Sequence, residues 1–567
     1  MKRFHSIIIL TAISVCAAAA DLNTIVPMPS RVEEHKGSMR VSGVSIKCDS
    51  EIGQDAIKAV SLFATRLNLV CGKTSTVSTP IGLSSSLVSN NAKGIIFIKD
   101  NSLAEEEYTI LVNPHSAIVK ANGYNGFFYA IQTIMQLLPE DIYSCRLNEK
   151  ARWALPCCYI QDKPRFSYRG ALLDVSRHFW SVDEVRKYLD VMAMFKLNKF
   201  HWHLTDDQGW RIESKKYPLL TQIGGYRAGT MIGHDFDSND HIRYGGFYTQ
   251  DEIKETVAYA GSLGIEVIPE IDLPGHMLGA MSAYPWLGCT GGPYSTWTRW
   301  GISDQVLCVG KESTFTFLED ILSEIAELFP SEYFHIGGDE CPKKEWEKCP
   351  DCQAKIKELG LKDDDSFSAE QYLQSYVTAR LQKFLATKGK RIIGWDEIME
   401  GSLEPGVTIM SWRGAEGGRK AATKGYDVIM CPTTNCYINF CQAEDFDLEP
   451  LSYTHWLPIE KVYELDPTEG IEPDKQHHII GAQCNLWTEY IDNLKLLEYM
   501  ALPRLLAGAE VQWCIPENKD FGRFKKAVVE HEFPVLHNAG YFYSKVIMGI
   551  YGASRFQPYG RVPACQD

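Results

Sequence analysis

At 567 residues the chain exceeds one typical domain, and its hydrophobic content of 45% is that of a globular protein with a large core. The formal net charge is −15, and no cluster of lysines and arginines is interleaved with aromatics. That balance argues against a nucleic-acid partner and for an acidic, well-solvated surface.

The chain begins MKRFHSIIILTAISVCAAAADLN, with Lys2 and Arg3 ahead of an apolar run from Ile7 to Val15 and the small residues Ala17 to Ala20. This is the pattern of a secretory signal peptide over residues 1–20, too short to span a bilayer as a stable helix. It implies an exported chain, in the periplasm or at the cell surface. Cys16 raises the alternative of a lipoprotein. No later segment carries 18 apolar residues in a row, so no transmembrane segment is expected in the mature chain.

Residues 21–163 read as a small α+β domain. GIIFIKD and YTILVNPHSAIVKA have strand character, and GYNGFFYAIQTIMQLLP has apolar residues at helical spacing and stops at Pro139. QDKPRFSYRG forms a junction. From there strands and helices alternate. YRGALLDV precedes helix SVDEVRKYLDVMAMFK, where Ser181 and Glu184 are spaced as a capping box. NKFHWHLTD follows; after an insertion comes helix YTQDEIKETVAYAGSLG, boxed by Thr249 and Glu252. IEVIPEID, YFHIGG, RIIGW, VTIMSW, YDVIMC and IIGAQCNLW complete eight strand candidates, the last followed by a helical segment near 493–508. The gap between VTIMSW and YDVIMC admits only a short helix, EGGRKAATKG. Continuous apolar strands suit parallel pairing with both faces buried. The predicted fold is α/β, a (β/α)8 TIM barrel over 164–545 preceded by the small α+β domain, with 546–567 as a C-terminal tail.

In such a barrel the active site lies at the C-terminal strand ends. Those ends carry, in order, Arg177 and His178; His203, Asp206 and Asp207; Asp272 and His276; Asp339 and Glu340; Trp395, Asp396 and Glu397; Trp412; Tyr437 and Asn439; Trp487 and Glu489. One polar strand end is ordinarily a cap. A ring of tryptophans with carboxylates and an arginine is a sugar pocket, because sugar rings offer apolar faces to aromatics and hydroxyls to charged groups.

Two carboxylates side by side in YFHIGGDECP repel each other and lose hydration. Glycoside hydrolysis usually places its two carboxylates on opposite sides of the bond, which adjacent residues cannot easily do. A 2-acetamido substrate resolves the difficulty, since its own carbonyl oxygen can attack C1. Glu340 is then the acid/base, with burial expected to act on it, and Asp339 orients the acetamido group. An enzyme nucleophile such as Asp206 or Glu397 is the competing scheme, and a catalytically weak sugar-binding barrel is a further alternative.

Export permits disulfides, although pairing cannot be deduced from sequence. Cys341, Cys349 and Cys352 crowd the loop after the acid pair. A metal site there would require a fourth ligand and a second paired element, and none lies nearby in sequence. The loop is therefore read as braced by a disulfide or by buried thiols, with no metal and no cofactor expected. No phosphate-binding loop or Ser-His-Asp pattern competes.

The segments LLDVSRHF, HWHLTDDQGWRIE, EIDLPGHM, HIGGDE, GWDE, MSWRG and NLWTEY, in this order, closely resemble glycoside hydrolase family 20, the β-N-acetylhexosaminidases. The resemblance covers about 160–515 and extends to the small domain before it. It implies a retaining, substrate-assisted release of terminal β-linked N-acetylhexosamine from a glycan. It implies Glu340 as acid/base, Asp339 as acetamido-orienting residue, and Arg177 and Glu489 as hydroxyl-binding groups. Trp395, Trp412 and Trp487 become aromatic walls, Tyr437 a donor to the acetamido oxygen, and Asp206 and His276 a supporting network. Asn439 departs from the pattern, where many members carry aspartate, and implies retuning around O4 or O6. His455 and Trp456 imply an altered pocket rim. A family variant releasing a disaccharide would need a second sugar subsite.

Overall fold

The computed structural model describes residues 21–80 and 93–551. Residues 1–20, read from sequence as a signal peptide, and the tail beyond 551 lie outside the described residues.

The first unit is a seven-stranded mixed sheet. Its strands are Arg31–Arg40, Ile46–Cys48, Val77–Ser78, Gly94–Lys99, Tyr108–Val112, Ser116–Ala121 and Ala154–Asp162, in the spatial order first, seventh, fifth, sixth, fourth, second, third. Helices Gln54–Cys71 and Tyr124–Gln136 pack on each other, and the second lies against the Tyr108–Ala121 hairpin. The unit is fastened to the barrel by buried polar groups. Lys196 Nζ sits 3.0 Å from Asp162 Oδ2, both side chains fully buried, and Trp513 Nε1 donates to Asp162 Oδ1 at 2.9 Å. A charge withdrawn from water in this way is tolerable only when paired and hydrogen-bonded.

Eight parallel strands close the barrel: Tyr168–Asp174, Lys199–His203, Glu266–Glu270, Tyr333–His335, Arg391–Trp395, Thr408–Ser411, Asp427–Met430 and Ile479–Leu486. The last pairs with the first, Gly481 opposite Tyr168 and Leu486 opposite Leu173. All eight coincide with the apolar runs read from sequence. Tyr168, Leu172, Ile268, Ile393, Met410 and Ile429 fill the interior. Outside, helices Val182–Met194 and Gln250–Gly261 begin with the two anticipated capping boxes, Ser181 with Glu184 and Thr249 with Glu252. The helix after the sixth strand, Glu416–Thr423, is eight residues long, as the short gap required. The helical segment anticipated near 493–508 is two helices, Leu494–Ala501 and Arg504–Trp513. Pro503 separates them, having no N–H to continue the first.

Candidate active site

The fourth strand ends at His335, and Gly337 and Gly338 follow with φ of +64° and +98°. A Cβ on Gly337 would fall 1.7 Å from Asp272 Oδ1, and one on Gly338 would fall 2.4 Å from Ile398 Cγ2. Only glycine fits both the dihedrals and the space. The turn is held by Gln374 Nε2, which donates to Gly338 O at 2.7 Å, and by Gly338 N, which donates to Asp272 Oδ1 at 3.3 Å. It delivers Asp339 and Glu340 into a pocket of about 590 Å³ at the C-terminal mouth of the barrel. Glu340 and His276 both take left-handed backbone conformations, φ +46° and +52°. Such strain in non-glycine residues persists only where surrounding structure enforces it.

Arg177, Asp339, Glu340, Trp395, Trp412, Tyr437, Asn439, Trp487 and Glu489 line this pocket. Asp206 and His276 stand behind it. Asp206 Oδ2 lies 2.8 Å from Arg177 Nη2 and 3.0 Å from His203 Nε2, while Asp206 Oδ1 lies 3.2 Å from His276 Nδ1. His276 Nε2 then reaches to 3.5 Å from Glu340 Oε2 and 3.8 Å from Asp339 Oδ2. Burial alone would hold the His276 pKa down, but Asp206, Asp207 and Glu340 raise it well above the ordinary imidazole range. A cation therefore stands behind the acid pair.

Burial falls mainly on Asp339 rather than on Glu340, which corrects the expectation from sequence. The Asp339 side chain is 15% exposed and that of Glu340 32%. Loss of hydration, with the Glu340 charge adding to it and His276 opposing, pushes the Asp339 carboxyl up to about 6. Asp339 Oδ1 is buried and accepts no hydrogen bond from another residue, and the same holds for Asn439 Oδ1 and Glu489 Oε2. Buried acceptors left without partners are costly, so three of them around one pocket point to a ligand rich in N–H and O–H donors.

The aromatic walls are contiguous. Trp395 and Trp487 have ring centroids 5.9 Å apart, Tyr437 and Trp487 6.3 Å, and Trp412 stacks on Tyr437 at 6.2 Å and 24°. Trp395 is fixed by donating Nε1 to Glu270 Oε1 at 2.9 Å, and Trp412 by donating Nε1 to Glu397 Oε2 at 2.8 Å. Arg177 packs on this wall, its guanidinium 5.1 Å from the centroid of the Trp487 ring. Arg177 Nε donates to Gln208 Oε1 at 3.0 Å and Nη1 to Asp174 Oδ2 at 3.3 Å, and Nη1 lies 3.9 Å from Glu489 Oε1. Tyr453 O–H donates to Glu489 Oε1 at 3.1 Å. Burial outweighs the Arg177 charge and lifts the Glu489 carboxyl to about 7.

Neither competing nucleophile faces the pocket. Asp206 is enclosed by Arg177, His203 and His276. Glu397 is held by Trp412 and lies 3.7 Å from Arg413 Nε. Loss of hydration, reinforced by Asp339, lifts the Glu397 carboxyl to about 9 and keeps it protonated at neutral pH.

Several site residues escaped the sequence reading. Glu270, fully buried, accepts from Trp395, lies 2.9 Å from His335 Nδ1 and 3.0 Å from His201 Nε2, and bonds His203 Nδ1 closely. Burial would by itself raise the Glu270 pKa, but the three histidines hold it well below the usual range. Its signal was an acid inside an apolar strand, costly unless paired. Tyr453 and Phe440 also line the pocket, with Thr433 and Thr434. His455 and Trp456, read as rim residues, line it too, and Trp456 is 49% exposed.

Known proteins share the sequence pattern and the fold of this chain. Residues 166–516 match the model of "Glycosyl hydrolase family 20, catalytic domain", and residues 23–163 match that of its domain 2. A β-hexosaminidase of Porphyromonas gingivalis is 40% identical over 507 residues, covering 88% of this chain. This chain spans 62% of that relative's length. The β-N-acetylhexosaminidase structure from Streptomyces coelicolor superposes with a TM-score of 0.80 at 28% identity, covering 93% of this chain and 99% of that one. A mutant β-hexosaminidase of Streptomyces plicatus in complex with its product GlcNAc superposes with a TM-score of 0.79 at 28% identity, covering 93% and 98%.

Proposed function

The chain belongs to glycosyl hydrolase family 20, and from that premise we propose that it is an exo-acting β-N-acetylhexosaminidase. It releases terminal β-linked GlcNAc or GalNAc from glycans or chito-oligosaccharides. The observation that carries this reading is the Asp339 carboxylate, buried in an aromatic box with Oδ1 unpartnered beside Glu340.

The reaction proceeds in two steps with retention at C1. Glu340 protonates the glycosidic oxygen while the substrate's acetamido oxygen attacks C1, expelling the aglycone and closing an oxazolinium ring. Asp339 accepts the acetamido N–H and offsets the positive charge that develops there. The Asp339 side chain is largely withdrawn from solvent, where that interaction is worth more than in water. Trp395, Trp412 and Trp487 enclose the acetamido methyl and the sugar face, and Tyr437 donates to the acetamido oxygen. Glu340, now anionic, takes a proton from water, which opens the ring at C1. His276 and Asp206 position Glu340 and set the charge behind it. Arg177 and Glu489 bind the hydroxyls at O3, O4 and O6. Asn439 brings an amide without charge to the same pocket.

The N-terminal segment with Lys2, Arg3 and the Ile7–Val15 apolar run supports export to the periplasm or cell surface, with Cys16 as the anchor point if the chain is a lipoprotein. No helix among the described residues is long and apolar enough to cross a membrane.

The proposal is tested by digesting chitotetraose and following products against time. Early accumulation of monosaccharide with chitotriose is expected. Release of disaccharide units would overturn the exo assignment.

A further inference from the structure

Four cysteines from two different loops meet in one cluster. Cys289 and Cys308 belong to the long segment after the third barrel strand, and Cys349 and Cys352 to the segment after the fourth. Their sulfurs all lie within 4.8 Å of one another. Cys308 Sγ is 3.5 Å from Cys349 Sγ and 3.8 Å from Cys352 Sγ, and Cys289 Sγ is 3.9 Å from Cys352 Sγ. Cys341, grouped with the last two by sequence, is not among them. None of the 15 described cysteines forms a disulfide.

From this geometry we infer that Cys289, Cys308, Cys349 and Cys352 form a structural zinc site. Zinc binds thiolates at about 2.3 Å, so a tetrahedral four-sulfur shell has sulfur–sulfur edges of about 3.8 Å. The three distances bracket that value. Two disulfides would instead sort the sulfurs into pairs at about 2.05 Å, whereas Cys308 has two sulfur neighbours at nearly equal distance. Thiolates are soft ligands suited to zinc, and four of them leave no open position for chemistry.

The surroundings are built for such a centre. Cys349 occupies the N-cap position of helix Pro350–Leu359 and Cys352 lies in its first turn, where the positive end of the helix favours thiolates. Gly310 closes the opposite loop onto this turn, since a Cβ there would fall 2.2 Å from the Asp351 carbonyl carbon and 2.4 Å from Cys352 N. Lys311 donates Nζ to Gly288 O at 3.2 Å, which holds a cation next to a centre of net charge −2. The loops are cross-linked around the sulfurs. Cys308 N donates to Leu287 O at 2.7 Å, Trp346 Nε1 to Leu307 O at 2.8 Å, and Leu307 N to Pro274 O at 3.0 Å. Pro274 is two residues from His276, and Cys349 is nine beyond Glu340. The zinc thus ties the loop carrying His276 to the loop carrying the acid pair. Each thiol gives up its proton to solvent as the metal binds.

The test is the metal content of the full chain, purified without chelators or histidine tags and dialysed against trace zinc, then against metal-free buffer. Elemental analysis is expected to give about one zinc per chain, as a closed four-thiolate site retains its metal. Cys308→Ser and Cys352→Ser should each cut that content at least fivefold, and Cys48→Ala, in the first unit, should leave it unchanged. A strong chelator should lower the melting temperature of the wild-type chain and not that of a folded Cys352→Ser variant. If the serine variants do not fold, peptide mapping of the wild type under non-reducing conditions decides. Absence of stoichiometric zinc, a different stoichiometric metal, or disulfides among these four cysteines would overturn the inference.

Discussion

His276 Nε2 lies 3.5 Å from Glu340 Oε2, while the same ring's Nδ1 lies 3.2 Å from Asp206 Oδ1. The carboxylate proposed as the acid/base is therefore backed by an imidazolium whose charge is held in place by a buried carboxylate. Asp206 in turn shares its other oxygen with Arg177 at 2.8 Å. The groups proposed for hydroxyl recognition and for positioning the acid thus share Asp206.

That linkage makes His276 a positioning residue. His276→Asn is expected to lower kcat by up to about 10²-fold, the cost of displacing a catalytic group by a fraction of an ångström. KM should change little, and the basic limb of the pH–rate profile should move, because the charge beside Glu340 is gone. A purely structural role would leave that limb where it was. Profiles of kcat/KM for wild type and variant check this.

Glu340→Gln removes the proton donor. On a substrate with a poor leaving group kcat/KM is expected to fall by about 10²- to 10⁴-fold, the usual contribution of general acid catalysis. On a leaving group that departs without protonation the first step should be nearly unaffected. Comparing alkyl and dinitrophenyl glycosides of N-acetylglucosamine measures the difference.

Asp339 links pH to both activity and stability. Its folded pKa of about 6 lies above the ordinary 3.8. The mechanism needs the ionised form, so activity should fall as pH drops through about 6. For stability the sign is opposite. The contribution of this carboxyl is fully present below about 3.8 and is lost as pH rises through about 6, where the fold must carry a buried charge. The cost above that window is at most about 3 kcal/mol. Asp339→Asn should therefore raise the melting temperature at pH 7 to 8, with the gain shrinking toward pH 4. Its kcat should fall by about 10²- to 10³-fold, as for loss of a preorganised electrostatic group. Calorimetry across pH, alongside rates, tests both halves.

Arg177→Lys keeps the charge but removes the planar fork that serves Gln208, Asp174 and Asp206 at once. Losing one charge-assisted hydrogen bond costs about 1.5–3 kcal/mol, or roughly 10- to 10²-fold in kcat/KM. The loss should be much smaller for 4-deoxy and 3-deoxy substrates, which lack the hydroxyls assigned to this arginine.

The barrel was legible because each strand is a short apolar run with both faces buried, and because the strand ends are polar. The lining residues Arg177, Asp339, Glu340, Trp395, Trp412, Tyr437, Asn439, Trp487 and Glu489 follow from that same register, which puts strand ends in one mouth. Glu270 was not legible. It occurs mid-strand in IEVIPEID, and its partners His201, His203 and His335 come from two neighbouring strands. The four-cysteine cluster was missed for a related reason. CPDC supplies two sulfurs, but Cys289 and Cys308 precede it by 60 and 41 residues and arrive only when two loops close on each other. The distribution of burial between Asp339 and Glu340 depends on the rotation set by Gly337 and Gly338, which sequence spacing does not reveal.

The central claim is that the substrate carries its own nucleophile and Asp339 serves it. It is tested most directly by two chromogenic β-glycosides identical except at C2, one bearing an acetamido group and the other a hydroxyl. Rapid turnover of the acetamido compound with turnover of the hydroxyl compound at least about 10³-fold slower is predicted, since the latter has lost its attacking group and the contact to Asp339. Comparable rates for the two would mean that the protein supplies the nucleophile, and would contradict the role given to Asp339.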